Sequence, residues 1–184
     1  TRGEEAFMEL FALIAAGINV VSTSFYPLLY PEGKGAIKEA IDPVQATCEQ
    51  NNCSVFVSGV DPGWALDILP ILLSGVVSDI EEIRIQEIFN YALYDQPDVV
   101  RDVIGFGQPM ENKPRMLEDL GLKTVWAPMV EILAKGLDYQ LDGIETFVEK
   151  RPLEHDISIP TMGEFKQGTQ GAFRFEVRGM RRGK

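Results

Sequence analysis

The chain has 184 residues, 45% of them hydrophobic and 24% charged, enough to bury one sizeable core or parts of two. Its 28 acidic residues against 17 basic ones leave a formal charge of −11, which repels phosphate backbones and anionic membrane surfaces, so neither nucleic acid nor membrane is expected as a partner. Two cysteines and a single histidine build neither a disulfide framework nor a zinc set, so no metal is expected, and sparse thiols with no targeting segment point to a reducing cytoplasm.

The opening stretch GEEAFMELFALIAAG has acids in its first turn, apolar Phe7, Leu10, Phe11 and Ile14 on one stripe, and Gly17 as terminator. That pattern predicts an amphipathic helix with a glycine stop. INVVST follows as a β-branched run without alternation, the pattern of a strand covered on both faces in a parallel sheet. Residues 10 to 30 approach the length of a membrane span, but Gly17, Asn19 and Pro27 interrupt them, so a buried helix leading into a buried strand is expected. The next helix is expected to restart at Asp42-Pro43, with Asp42 as N-cap, and to end near QNN. CSVFVSGV reads as a second buried strand.

The segment VSGVDPGWALDILPIL, residues 57 to 72, joins that strand to a Trp-led apolar helix through an Asp-Pro-Gly turn. In open α/β sheets ligands sit beyond the carboxyl ends of strands, where the chain turns sharply into a helix. The corner therefore reads either as a pocket wall or as an ordinary strand-to-helix turn in which Pro62 opens the helix and Trp64 fills the core. Helix, strand, helix, strand, helix is the repeating unit of a doubly wound sheet.

The texture changes near residues 76 to 80. IEEIRIQEIFNYALY alternates as a half-exposed strand, QPDVVRDVIGFGQP reads as a short helix closed by Gly105, and residues 113 to 136 read as one or two helices interrupted near Gly121 and by Pro128. LDGIETFVEKR, HDISIPTMG and GAFRFEVRG are strand-like, the last with Phe173, Phe175 and Val177 on one face and Arg174, Glu176 and Arg178 on the other. Residues 1–78 are expected to be part of a parallel α/β domain and residues 79–184 an α+β domain. No G-x-G-x-x-G occurs, the chain opens on a helix, and the basic RGMRRGK reads as a solvated tail or a strand under way, so an internal stretch of a longer protein is expected.

GINVVSTSFYPLLYP, SGVDPGWALDILPILL, YALYDQPDVVRDVIGFGQP and GTQGAFRFEVRG, in that order, resemble the dihydrodipicolinate reductase-like oxidoreductases that include 2,4-diaminopentanoate dehydrogenase and the native amine dehydrogenases. The resemblance runs over nearly the whole chain. It implies the second part of a Rossmann doubly wound parallel sheet, followed by an α+β substrate and dimerisation domain in a homodimer. It implies NAD or NADP as cofactor and hydride transfer between a nicotinamide and a small-molecule carbonyl, imine or amine substrate. The loop Ser24-Phe25-Tyr26-Pro27 would face the nicotinamide, Thr1 and Arg2 would be the remnant of another cofactor-contacting loop, and Asp61-Pro62-Gly63-Trp64 would close the pocket.

Members of the family carry a Glu just after NVV-x-x-x, where this sequence has Phe25. Asp61 is the replacement acid and Tyr26 the candidate proton donor; the competing readings are a turn aspartate and a packing tyrosine with a solvated tip. Gly63 allows close approach of the backbone to the substrate, with Pro62 and Trp64 beside it. His155 lacks partners for a triad or metal site, GFGQP at 105 to 109 reads as a turn, and Trp126 and Tyr139 read as core or interface aromatics. Beside the oxidoreductase stand two other readings: a non-catalytic relative that binds a ligand or dimerises, and a purely structural lobe.

Overall fold

A computed structural model describes residues 2–35 and 37–181. The chain forms two compact units, residues 1–83 with 124–141, and residues 84–123 with 142–184.

In the first unit, α1 (Arg2–Ala15) buries Leu10 and Ile14, with Phe7 and Phe11 packed alongside. Its end is a Schellman motif: the Ile18 N–H reaches back to Leu13 O and the Gly17 N–H to Ile14 O, with Gly17 at φ +75°. β1 (Val20–Ser22) and β2 (Val55–Val57) pair in parallel, Val20 opposite Val55, Val21 opposite Phe56 and Ser22 opposite Val57. Between them lies α2 (Lys38–Asn51), which contributes Ile41, Val44 and Cys48 to the same core as Leu10, Ile14, Leu28 and Val57.

Two expectations for this unit change. Asp42 is not an N-cap, because α2 begins at Lys38 and Pro43 lies inside it. The buried stripe starts at Ile41, and burying that residue with Val44 and Cys48 carries the helix back through the proline, which forgoes one backbone hydrogen bond. Nor is the strand pair covered on both faces: Val21 is 79% exposed and Phe56, its partner in register, 62%.

Pro62 does not open a helix. The chain makes an irregular turn through Val60–Trp64, with a cis Asp61–Pro62 peptide, and α3 (Ile68–Ser74) starts only after Asp67, whose buried carboxylate accepts the Ile68 N–H. The local side-chain cap, and not the proline, sets the helix start. α4 (Asp119–Gly136) runs unbroken through Gly121 and Pro128. A Cβ on Gly121 would fall 2.1 Å from the Arg115 carbonyl oxygen, so glycine there serves close approach and not termination. Pro128 is carried because Ala127, Met129 and Ala134 around it are buried.

In the second unit β3 (Gly143–Pro152) and β6 (Gln170–Met180) form a long antiparallel ribbon. β4 (Ile157–Ile159) and β5 (Gly163–Phe165) form a short hairpin. Val100, in the helical turns Val99–Val103, packs with Met162 and Phe165 as a small core ringed by Tyr91, Tyr94 and Phe106. Gly105 follows those turns at φ +91°. The strand expected from IEEIRIQEI is not formed: residues 79 to 90 contain neither helix nor strand, and Ile88 is 87% exposed. Alternation supplies two faces, but a strand also needs a neighbour to accept its ladder, and none of the described strands pairs with this segment. Among the described residues, no helix is long and apolar enough to cross a membrane.

Two outcomes follow from this packing. Ile14→Ala, at a fully buried position, should cost about 2–5 kcal/mol in urea unfolding, while Val21→Ala on the exposed face should stay within about 0.5 kcal/mol. Asp156 accepts the Gln167 N–H at 2.8 Å and the Lys166 ammonium at 2.8 Å, and that backbone donor first, with the lysine second, holds its carboxyl below the usual aspartate range. A depressed carboxyl stabilises above its unfolded pKa and loses that contribution as pH falls through its own lower value. The Gln167 amide resonance should therefore stay constant down to the usual aspartate range and move only below it, a step that Asp156→Asn removes.

Candidate functional site

Because β1 and β2 run in parallel, both deliver their chains to the same edge, and the Ser58 N–H donating to Ser22 O at 3.1 Å prolongs the ladder by one rung. Open α/β sheets bind ligands at this edge. From β1 the chain passes through Ser24, whose N–H donates to Ser22 Oγ at 3.1 Å, into a helical turn Tyr26–Leu28 that lies against β2. From β2 it passes through Ser58 and Gly59 into the Val60–Trp64 turn, closed by Trp64 N–H to Gly59 O at 2.8 Å and Leu66 N–H to Gly63 O at 2.8 Å.

Gly63 is buried at φ +133°, a conformation L side chains rarely adopt, and a Cβ there would meet Ser58 Cα, C and Oγ. The backbone of the second loop thus folds tightly onto the end of β2. Asp61, two residues earlier, is half-buried, and its Oδ1 accepts the indole Nε1–H of Trp126 at 2.8 Å. Trp126 sits on α4, 65 residues away in sequence, so the aspartate is held by tertiary contact and not by its own turn.

The other expected residues separate into distinct environments. Tyr26 is 42% exposed, Trp64 is 48% exposed and therefore does not fill the core, and Ser24 is exposed. Pro62 is half-buried beside Asp61. Phe25 turns inward, its ring 5.9 Å from that of Phe7 in an edge-to-face contact, and packs against the core of α1 and α2. Thr1 lies outside the described residues, and of Arg2 only the backbone, at the start of α1, is described. His155 is exposed, and no group of three or more potential metal ligands occurs among the described residues.

Pattern reading missed three members of this corner, all on α4. Trp126 looked like a packing aromatic because its nitrogen's partner cannot be read locally. Glu131 accepts the Lys34 N–H with both carboxylate oxygens, at 3.2 and 3.1 Å, and so pins the loop that continues from Tyr26–Leu28. One turn on, Lys135 pairs with Glu32 in the same loop and holds the Glu32 carboxyl below its usual range, through the hydrogen bond first and the charge second. No heptad, cap or turn motif links residue 32 to residue 135.

A groove of about 440 Å³ lies elsewhere in the unit, lined by Ile41, Val44, Cys48, Cys53 and Val55 among others, and none of residues 58 to 64 line it. Both cysteines are free thiols; burial first, and then the neighbouring Cys53, pushes the Cys48 thiol up.

No protein-family model matches the chain. It is 44% identical over 179 residues to a protein of Streptomyces virginiae named amine dehydrogenase, an alignment covering 97% of this chain and 49% of that protein. A solved structure of an amine dehydrogenase from Mycobacterium smegmatis matches with a TM-score of 0.63 at 14% identity, over 96% of this chain and 51% of that one. The chain thus spans about half the length of the relatives it matches and shares the fold of that half.

Gly63→Ala should distort the turn at the end of β2, because the substitution combines a disfavoured φ with a close approach to Ser58. The expected loss is about 1–3 kcal/mol in thermal unfolding, with the Trp126 indole resonance displaced.

Proposed function

We propose that the chain is the rear portion of an NAD(P)-dependent oxidoreductase that moves a hydride between a nicotinamide and a small carbonyl, imine or amine substrate. The observation that carries this reading is the 44% identity to an amine dehydrogenase over almost all of the chain. The geometry supports it: two parallel strands end side by side, a glycine-tightened loop leaves one of them, and an aspartate held from α4 stands in that loop. That edge suits the redox end of a dinucleotide, whereas no glycine-rich phosphate loop occurs in these residues. In this reading residues 1–78 are the second part of a Rossmann sheet, and the exposed Val21–Phe56 face belongs against the remainder of the domain. A dihydrodipicolinate reductase-like ancestry, a homodimer formed through the second unit and a cytoplasmic setting are parts of the same proposal.

Bound nicotinamide would supply the hydride. Ser24 and Tyr26, on the loop from β1, would hold that ring, while Phe25 supports the loop by packing on Phe7. Pro62, Gly63 and Trp64 shape the substrate side, and Asp61 takes the part of the acid that the resembled family places at the Phe25 position. The carboxylate receives or returns the proton of the reacting nitrogen, and the Tyr26 phenol, with its tip exposed, is a second proton carrier. The inward Phe25 also favours a second reading, a relative that keeps the fold and binds ligand without turnover.

Assay of the full-length protein with NADH and NADPH separates the two. The oxidoreductase reading expects reduced-cofactor binding and turnover, with Asp61→Asn lowering kcat about 10²–10⁴-fold and Tyr26→Phe less, while cofactor affinity holds. Binding without turnover selects the silent relative, and no binding of either nucleotide removes the oxidoreductase reading.

A further inference from the structure

Cys48 and Cys53 are free thiols that the reading of residues 58 to 64 leaves unused, and the fold brings them together. α2 ends on Asn52 at φ +51°, a left-handed cap, and the Cys48 carbonyl accepts the N–H of Asn52 and, at 3.1 Å, that of Cys53. In such a turn the side chain of the residue after the cap meets that of the residue five earlier, a place usually taken by an apolar pair. Here both are thiols. A disulfide needs its Cα atoms about 4.4–6.8 Å apart, and a backbone hydrogen bond between the same two residues imposes an approach of that order. Cys48 is buried, with its thiol pushed up by burial first and by the adjacent Cys53 second. Cys53 is half-buried, and its Sγ–H donates to the Ile14 carbonyl at 3.3 Å. Both residues line the groove of about 440 Å³, where Glu49 is the one charged side chain among the described lining residues.

We propose that Cys48 and Cys53 form a reversible dithiol–disulfide site that exchanges with small-molecule disulfides of neutral or cationic charge. Cys53, the more accessible thiol, loses its proton to solvent, and its sulfur attacks one sulfur of the small disulfide, expelling one thiolate and leaving a mixed disulfide. Cys48, its neighbour across the turn, then loses its proton and attacks the Cys53 sulfur, expelling the second thiolate. Two protein thiols are oxidised by two electrons, one small disulfide is reduced to two thiols, and the departing thiolates take up the two protons released. Burial of Cys48 does not obstruct the second step, because nothing has to reach it from outside. Glu49 repels an anionic disulfide from the groove and admits a neutral or cationic one. Only four residues separate the cysteines, and so short a ring gains little by constraining the unfolded chain, so excess thiol reopens it. The inference stands apart from the nicotinamide reading, since none of residues 58 to 64 line this groove.

The test treats the reduced full-length protein with cystamine, takes dithiodiglycolate as the anionic control, quenches with acid and maps the tryptic peptide 39–84 by mass. That peptide holds both cysteines and no lysine or arginine before Arg84. After cystamine it should be lighter by two hydrogens and closed to alkylation by iodoacetamide, with dithiothreitol restoring both thiols, and it should form faster with cystamine than with dithiodiglycolate. Cys48→Ser should stop at a stable mixed disulfide on Cys53, while Cys53→Ser should lose the reaction and leave Cys48 reduced. In urea the closed fraction at the same cystamine concentration should fall, because the turn no longer holds the thiols together. A folded protein whose peptide keeps two free thiols, or collects two mixed disulfides without closing, overturns the site. Equal closure in urea overturns its basis in the fold, and equal rates with the two reagents overturn the charge selectivity. Cys48 reacting at an undiminished rate in Cys53→Ser overturns the order of attack. If either variant fails to fold, the wild-type peptide map still decides.

Discussion

Three rungs of parallel pairing, Val20 to Val55, Val21 to Phe56 and Ser22 to Val57, are the constraint on which the candidate site depends. Such a short ladder holds because its inner side is fastened to a core of Leu10, Ile14, Ile41, Val44, Cys48 and Val57, drawn from α1, α2 and β2. Parallelism then does the geometric work. Two chains leaving the same edge place Ser24 and Tyr26 on one loop and Asp61 to Trp64 on the next, without any further device. The extra bond from Ser58 N–H to Ser22 O keeps the two loops in step where they begin.

α4 supplies what the strands do not. Its second half belongs to the first unit, and three of its side chains reach the loops at the strand edge: Trp126 to Asp61, Glu131 to the Lys34 amide and Lys135 to Glu32. The lysine–glutamate pair is exposed and contributes little by itself. The indole–aspartate contact differs in kind, because it commits one oxygen of a partly buried acid and sets where the other points. On the loop from β1, Phe25 anchors the chain to α1 through its edge-to-face contact with Phe7.

The apolar face of Val21 and Phe56 stands open. Continuous β-branched runs such as INVVST are written for strands covered on both sides, and the described residues cover one. The alternation of IEEIRIQEI likewise stays unused, since no neighbouring strand takes its backbone groups. Both features agree with a chain that spans about half the length of the relatives it matches.

The sequence by itself determined whatever depends on near neighbours. The helix from residue 2 to 15, its glycine stop, the strands at 20 to 22 and 55 to 57 and the alternating ribbon strand at 170 to 180 follow from periodicity, runs of β-branched residues and capping, which act over a few residues. Tertiary structure decided the rest, because it turns on burial energies that no short window contains. Burial of Ile41 carried α2 back past Pro43, close approach at Arg115 let α4 keep Gly121, and the Asp67 cap moved the start of α3 beyond Pro62. Most consequentially, the acid at residue 61 is legible as a candidate, while the indole that donates to it is not: a hydrogen bond across 65 residues exists only once the chain has folded.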